Sequence, residues 1–152
     1  VLFRSGKLYE DYATIYKITC GCSRVTVLKE NLYWYRTRVG SIMKSKLTVK
    51  NMQLLDIAQE VTNYLKCEVP VVENEARYLQ MVTYLKLMKG ILDNGFSAFP
   101  EEQDRIKNYV LSCKPLLKMS FAKKKDVIKV KSFLLNKRLF YMIYTLGEKT
   151  HL

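Results

Sequence analysis

The sequence predicts an α+β fold: an antiparallel sheet of about four strands, helices packed on one face of it, and a basic helical C-terminal extension. Three observations lead there. Residues 13–43 are rich in β-branched and aromatic side chains interrupted by turn formers, and from residue 48 onward apolar residues recur at helical spacing. The last quarter of the chain holds two-thirds of its excess positive charge. The expected division is an α+β domain over residues 6–118 followed by the extension over residues 119–152.

The first two strands are expected at Ala13–Thr19 and Arg24–Leu28, with Cys20-Gly21-Cys22-Ser23 as the hairpin turn. A third is expected from Leu32 to Met43. Its alternation sets Trp34, Arg36 and Arg38 on one face and Tyr33, Tyr35, Thr37 and Val39 on the other. Thr48 then opens a helix, where its hydroxyl can cap orphan amides, and Val49, Met52, Leu55, Ala58, Val61, Thr62 and Leu65 recur at spacings near three and four. Pro70 closes that region. A fourth strand is expected at Glu75–Met81, then a helix over Thr83–Asn94 through Leu85, Met88, Ile91 and Leu92, stopped by Asn94-Gly95.

The next helix begins near Pro100, where Glu101, Glu102 and Asp104 suit the positive end of the helix dipole. Ile106, Val110 and Cys113 form its apolar stripe, and Pro115 ends or kinks it. A last helix runs from about Lys125 through Val127, Val130, Phe133, Leu134, Leu139, Phe140 and Ile143. Its apolar residues are dense enough that it must dock, either on this domain or on a partner.

The 152 residues amount to one domain's worth of chain, with 49% apolar residues, enough for a real core. No run of apolar residues is long enough for a transmembrane helix. Val1-Leu2-Phe3-Arg4-Ser5 lacks a methionine and is too short for a signal peptide, so a cleaved targeting segment or a start inside or beside the reading frame is expected there. Cys20, Cys22, Cys67 and Cys113 include one C-x-C pair but no zinc spacing. Reduced thiols in an intracellular compartment, with no metal and no cofactor, are the expectation. The only histidine is His151, which argues against catalysis by a positioned imidazole.

Between Lys114 and Leu152 ten bases face only Asp126 and Glu148, which gives +8 of the formal +12. Cations concentrated in this way attract a polyanion. Lys114, Lys118, Lys123, Lys124, Lys125, Lys129 and Lys131 are therefore candidate phosphate contacts, together with Arg36 and Arg38 on the third strand. Trp34 beside those arginines is a candidate for stacking on a base. No glycine-rich loop of phosphate-binding form is present, and Glu10 and Asp11 are adjacent and so would point apart rather than act as a catalytic pair.

The order of expected elements, in a basic chain of this length, resembles one LAGLIDADG homing-endonuclease unit over about Gly6 to Lys118. The clearest pieces are the Tyr-x-Tyr-Arg-x-Arg strand leading into an amphipathic helix within Leu32–Leu65, and Phe99-Pro100 ahead of a helix within Ala76–Leu117. The resemblance implies a saddle-shaped antiparallel sheet whose concave face lies on DNA. The signature itself departs from the family. Aligning Leu8-Tyr9-Glu10-Asp11-Tyr12-Ala13-Thr14-Ile15 with Leu-Ile-Asp-Ala-Asp-Gly-Ser-Ile puts Tyr12 where the metal-binding acid belongs and Ala13 where the glycine belongs. A phenol supplies neither the charge nor the hard oxygens that a divalent metal needs, so the resemblance implies a descendant without nuclease activity.

The expected function is thus a non-catalytic RNA-binding component of a ribonucleoprotein, such as a mitochondrial ribosomal protein in the matrix, touching rRNA and neighbouring proteins. The alternatives are a metal-dependent DNA endonuclease acting as a dimer, and an assembly subunit that docks its last helix on a protein. Peripheral membrane attachment ranks behind these, because Lys129 and Lys131 interrupt the apolar side of that helix.

Overall fold

Helical spacing, not alternation, organises the chain. The computed structural model describes residues 8–34 and 46–149, and no strand occurs among them. Among the described residues six α-helices follow in order: α1 (Ile15–Cys20), α2 (Gln53–Glu68), α3 (Glu73–Asn94), α4 (Pro100–Ser112), α5 (Lys124–Leu135) and α6 (Lys137–Lys149). Short 3-10 turns at Val49–Met52, Pro70–Val72 and Lys114–Lys118 join them. The fold is a helical bundle, and the expected α+β architecture with its four-stranded sheet is corrected accordingly.

Helix α3 is the hub, touched by α2, α4, α5 and α6. Ala76, Gln80, Tyr84, Leu87 and Ile91 form one buried stripe along it, and Tyr78, Met81, Leu85, Met88 and Leu92 form a second. Two stripes bury most of a helix's circumference, as a central helix requires. They also explain why Glu75–Met81 reads as a strand. Taken together, buried residues 76, 78 and 80 imitate a two-residue alternation.

The N-terminal strands fail for a different reason. Tyr9, Tyr12, Ala13 and Tyr16 recur at helical spacing and pack against Ile57, Val61 and Leu65 of α2. That packing outweighs the modest preference of Ile15, Ile18 and Thr19 for extended backbone. Arg24–Leu28 is non-helical but has no ladder partner among the described residues, and Val25, Val27 and Leu28 are exposed. Leu32, Tyr33 and Trp34 are likewise non-helical and exposed. The remainder of that expected strand, from Tyr35, lies outside the described residues.

Thr48 does precede α2, through the turn Val49–Met52. Its backbone N–H and its hydroxyl both donate to Asn51 Oδ1, at 2.7 and 3.0 Å. Just before it, Leu47 lies against Gly90 of α3, where a Cβ would stand 2.7 Å from the leucine Cδ1. Asn94 Nδ2 donates to Leu47 O at 2.7 Å and pins the same contact. The expected single C-terminal helix is corrected to a hairpin, because the chain leaves helical geometry at Asn136. There the Asn136 side-chain oxygen accepts the Arg138 N–H at 2.7 Å and starts α6. One hydrophobic cluster runs from Met52 to Tyr144 and includes Val130, Phe133 and Phe140 of the hairpin.

A buried polar network ties α2, α3 and α4 together. Gln80, fully buried, donates to Gln59 Oε1 (3.1 Å) and Tyr84 Oη (2.9 Å), and its own oxygen accepts from Tyr109 Oη (2.7 Å). Tyr84 in turn donates to Leu55 O at 2.8 Å. Such a network stabilises only while every member is satisfied. Gln80→Ala is expected to cost about 2–4 kcal/mol in urea unfolding, from a cavity plus unpaired tyrosine hydroxyls, whereas Gln59→Ala should cost under about 1 kcal/mol.

Candidate nucleic-acid interface

The basic surface is built at the junction of α4 and α5. Pro115 prevents α4 from continuing, and the chain turns through Lys114–Lys118 with Leu116 buried as its anchor. Phe121 and Ala122 then pack on the core, and Phe121 meets Tyr78 edge-on with ring centroids 5.4 Å apart. Anchoring these apolar residues leaves Lys114, Lys118, Lys123, Lys124 and Lys125 exposed. Among the described residues none of the five forms an ion pair. No side chain caps the first turn of α5, and the one acid in that turn, Asp126, is buried rather than facing the lysines.

The two acids of this basic quarter are both engaged by α3. Asp126 is only 5% exposed, and its Oδ2 accepts the Tyr78 hydroxyl at 2.7 Å. The same Tyr78 oxygen accepts the Lys123 backbone N–H at 3.0 Å, fixing where α5 begins. Glu148 lies 3.5 Å from Lys89, which also bonds Asp93 at 2.8 Å. Elsewhere some cations are paired, Lys17 with Glu60, Lys66 with Glu73 and Arg105 with Asp56, while others such as Lys50, Lys86 and Lys107 are exposed.

The other candidate contacts are distributed differently. Lys129 is half-buried with its ammonium 4.0 Å from the Tyr144 ring centroid, a cation–π contact that joins α5 to α6. Lys131 is exposed on the outward side of α5. Trp34 is 91% exposed in the N-terminal segment, and Arg36 and Arg38 lie outside the described residues. The expected Trp34, Arg36 and Arg38 sheet face is therefore not formed in its described part, where Trp34 lies in chain without regular secondary structure. Lys137, one of the ten bases of the last quarter, is tied to α4. Its ammonium bonds Gln103 Oε1 at 2.5 Å, while Gln103 Nε2 holds Ala98 O at 2.6 Å. Asp126 was legible only as an opposing charge. Its i, i+4, i+7 relation to Val130 and Phe133 was the available sign that it faces inward.

A shallow groove of about 570 Å³ lies on the outer side of α2, lined by Asp56, Glu60, Tyr64, Cys67, Glu68 and Arg105. Its acids make it unsuited to a polyanion. Around Tyr12, Asp11 Oδ1 accepts the Tyr12 N–H at 2.7 Å and Glu10 is exposed. Among the described residues no three of His, Cys, Asp and Glu are grouped so as to hold a metal ion. Cys20, Cys22 and Cys67 are exposed free thiols and Cys113 is a buried one. Among the described residues, no helix is long and apolar enough to cross a membrane.

The class defined by these features is an all-helical bundle carrying an uncompensated basic junction. No protein-family model matches the chain, and neither a curated protein nor a solved structure matches it.

Burial and the Asp126 hydrogen bond push the Tyr78 hydroxyl up to about 12. Burial also raises Tyr12, Tyr84, Tyr109 and Tyr144 above the ordinary tyrosine value. The folded protein thus holds the Tyr78 proton more tightly than the unfolded chain does. Its contribution is complete below the unfolded value of 10.0 and is lost as pH rises toward about 12. An ultraviolet alkaline titration should show a late-ionising tyrosine class that appears together with loss of helical circular dichroism. In Tyr78→Phe that class should shrink.

Proposed function

We propose that this chain binds structured RNA without catalysing a reaction on it, as a structural component of a ribonucleoprotein. The observation that carries this reading is the set of five exposed lysines between Lys114 and Lys125, free of ion pairs among the described residues, beside an uncapped helix start. Phosphates would meet these ammonium groups and release their counterions, which supplies affinity with little dependence on sequence. Shape sets which RNA is preferred, and Trp34 offers an indole to an unpaired base. A mitochondrial ribosome is one setting in which a small basic protein of this kind would work.

The test is a salt titration of binding to a structured RNA. Five neutralised phosphates correspond to a slope of about −3.5 to −4.5 in log affinity against log salt. Replacing Lys123, Lys124 and Lys125 together by alanine should flatten that slope by about 2–3 and weaken binding uniformly across RNA sequences. Affinity independent of salt, or a triple variant that binds like the parent, would remove the proposal.

A further inference from the structure

We propose that the outward face of the α5–α6 hairpin docks on an anionic bilayer surface, a role beyond RNA binding that shares Lys124 and Lys131 with the candidate phosphate contacts but adds the apolar side chains Ile128, Leu135, Met142 and Leu146. The hairpin closes on itself and on the core. Phe133 meets Phe140 with ring centroids 5.3 Å apart, and Phe140 meets Tyr144 at 5.5 Å. What remains outside is patterned. On α5, Lys124, Ile128, Lys131 and Leu135 recur at i, i+4, i+7 and i+11, and all four are exposed. On α6, Arg138, Met142 and Leu146 recur at i, i+4 and i+8, and these too are exposed. Leu135 is 78% exposed, while Met142 and Leu146 are each 60% exposed.

These stripes contain large apolar side chains and cations but no acid. Lys124, Lys131 and Arg138 have no ion pair among the described residues. Single exposed apolar residues are ordinary, but Ile128, Leu135, Met142 and Leu146 recur in helical register with cations along two neighbouring helices. Interleaved apolar and basic residues suit a surface that offers anionic headgroups above an acyl boundary, where long basic side chains reach outward along their stems. The stripes lie along the outer sides of two neighbouring helices rather than in a groove, which favours a bilayer over a single protein helix. The objection drawn from a continuous helix also loses force. The helix breaks at Asn136, and Lys129 is turned onto Tyr144 instead of interrupting the outward face.

The experiment is co-sedimentation of the full chain with phosphatidylcholine vesicles, with and without phosphatidylserine, alongside the RNA titration. The expected result is binding that requires phosphatidylserine. Leu135→Ser combined with Met142→Ser should weaken it about tenfold while leaving RNA affinity unchanged. Lys131→Ala combined with Arg138→Ala should reduce the preference for anionic vesicles. These positions are exposed, and circular dichroism of each variant checks that the bundle persists. Failure to bind anionic vesicles overturns the proposal, as does equal binding to both vesicle types or an unaffected Leu135/Met142 variant. So does capture of an acidic helical protein in place of vesicles. RNA binding that survives such a failure leaves the RNA reading standing, and loss of RNA binding alone leaves this one.

Discussion

Helix α3 draws both carboxylates of the basic C-terminal quarter to itself. Tyr78 holds Asp126 in the interior and Lys89 pairs with Glu148 at the surface, so both acids of this quarter are engaged by α3 rather than by the junction lysines. The Tyr78 hydroxyl does two things at once, donating to Asp126 and accepting from the Lys123 amide. One side chain therefore sets where α5 starts, closes its first turn on the core, and turns the local negative charge inward. The lysines on either side are left facing solvent because the residues between them are committed to the interior.

That arrangement needs a rigid support, and α3 provides it by being buried along two stripes. Its partners are held by polar contacts as well as by area. Gln80 ties α2 and α4 to it, Asn94 ties the entry to α2, and Gln103 with Lys137 ties the start of α6 to the loop that follows α3. Buried polar groups with full sets of partners favour one arrangement over near alternatives, because any slip leaves an amide or hydroxyl unpaired. A basic surface presented by a bundle held in this way keeps its cations in a fixed relation, which shape-based recognition of a folded polyanion requires.

Much of the helical half was legible in the sequence. Thr48 before α2, Gly95 after α3, Pro100 at the start of α4 and Pro115 after it all act where local chemistry placed them, because caps and breakers work through a few neighbouring atoms. Leu55, Ala58, Val61, Ile106, Val110 and Cys113 are buried as their spacing implied. The sheet was not legible, because it does not exist among the described residues. β-branched runs at 13–19 and 24–28 signal a preference that only a partner strand can satisfy, and tyrosines at helical spacing won the first of them for α2. A hub helix hides its period, since apolar residues on two faces read as alternation. Asn136 was missed as a break because Leu134, Leu135 and Leu139 continue the apolar density across it. The candidate lysines could be named from the sequence, but their lack of partners could not. It depends on Tyr78 and Lys89, 48 and 59 positions away from the acids that they hold.

Charge on the α4–α5 junction and apolar residues on the outward hairpin face divide the C-terminal third into two surfaces with different chemistry. Both depend on α5 being held at its start. The most direct measurement is a double-mutant cycle in urea unfolding between Tyr78→Phe and Asp126→Asn. A hydrogen bond to a buried carboxylate predicts a coupling of about 1.5–3 kcal/mol. Additive effects, with no coupling between the two sites, would contradict the account.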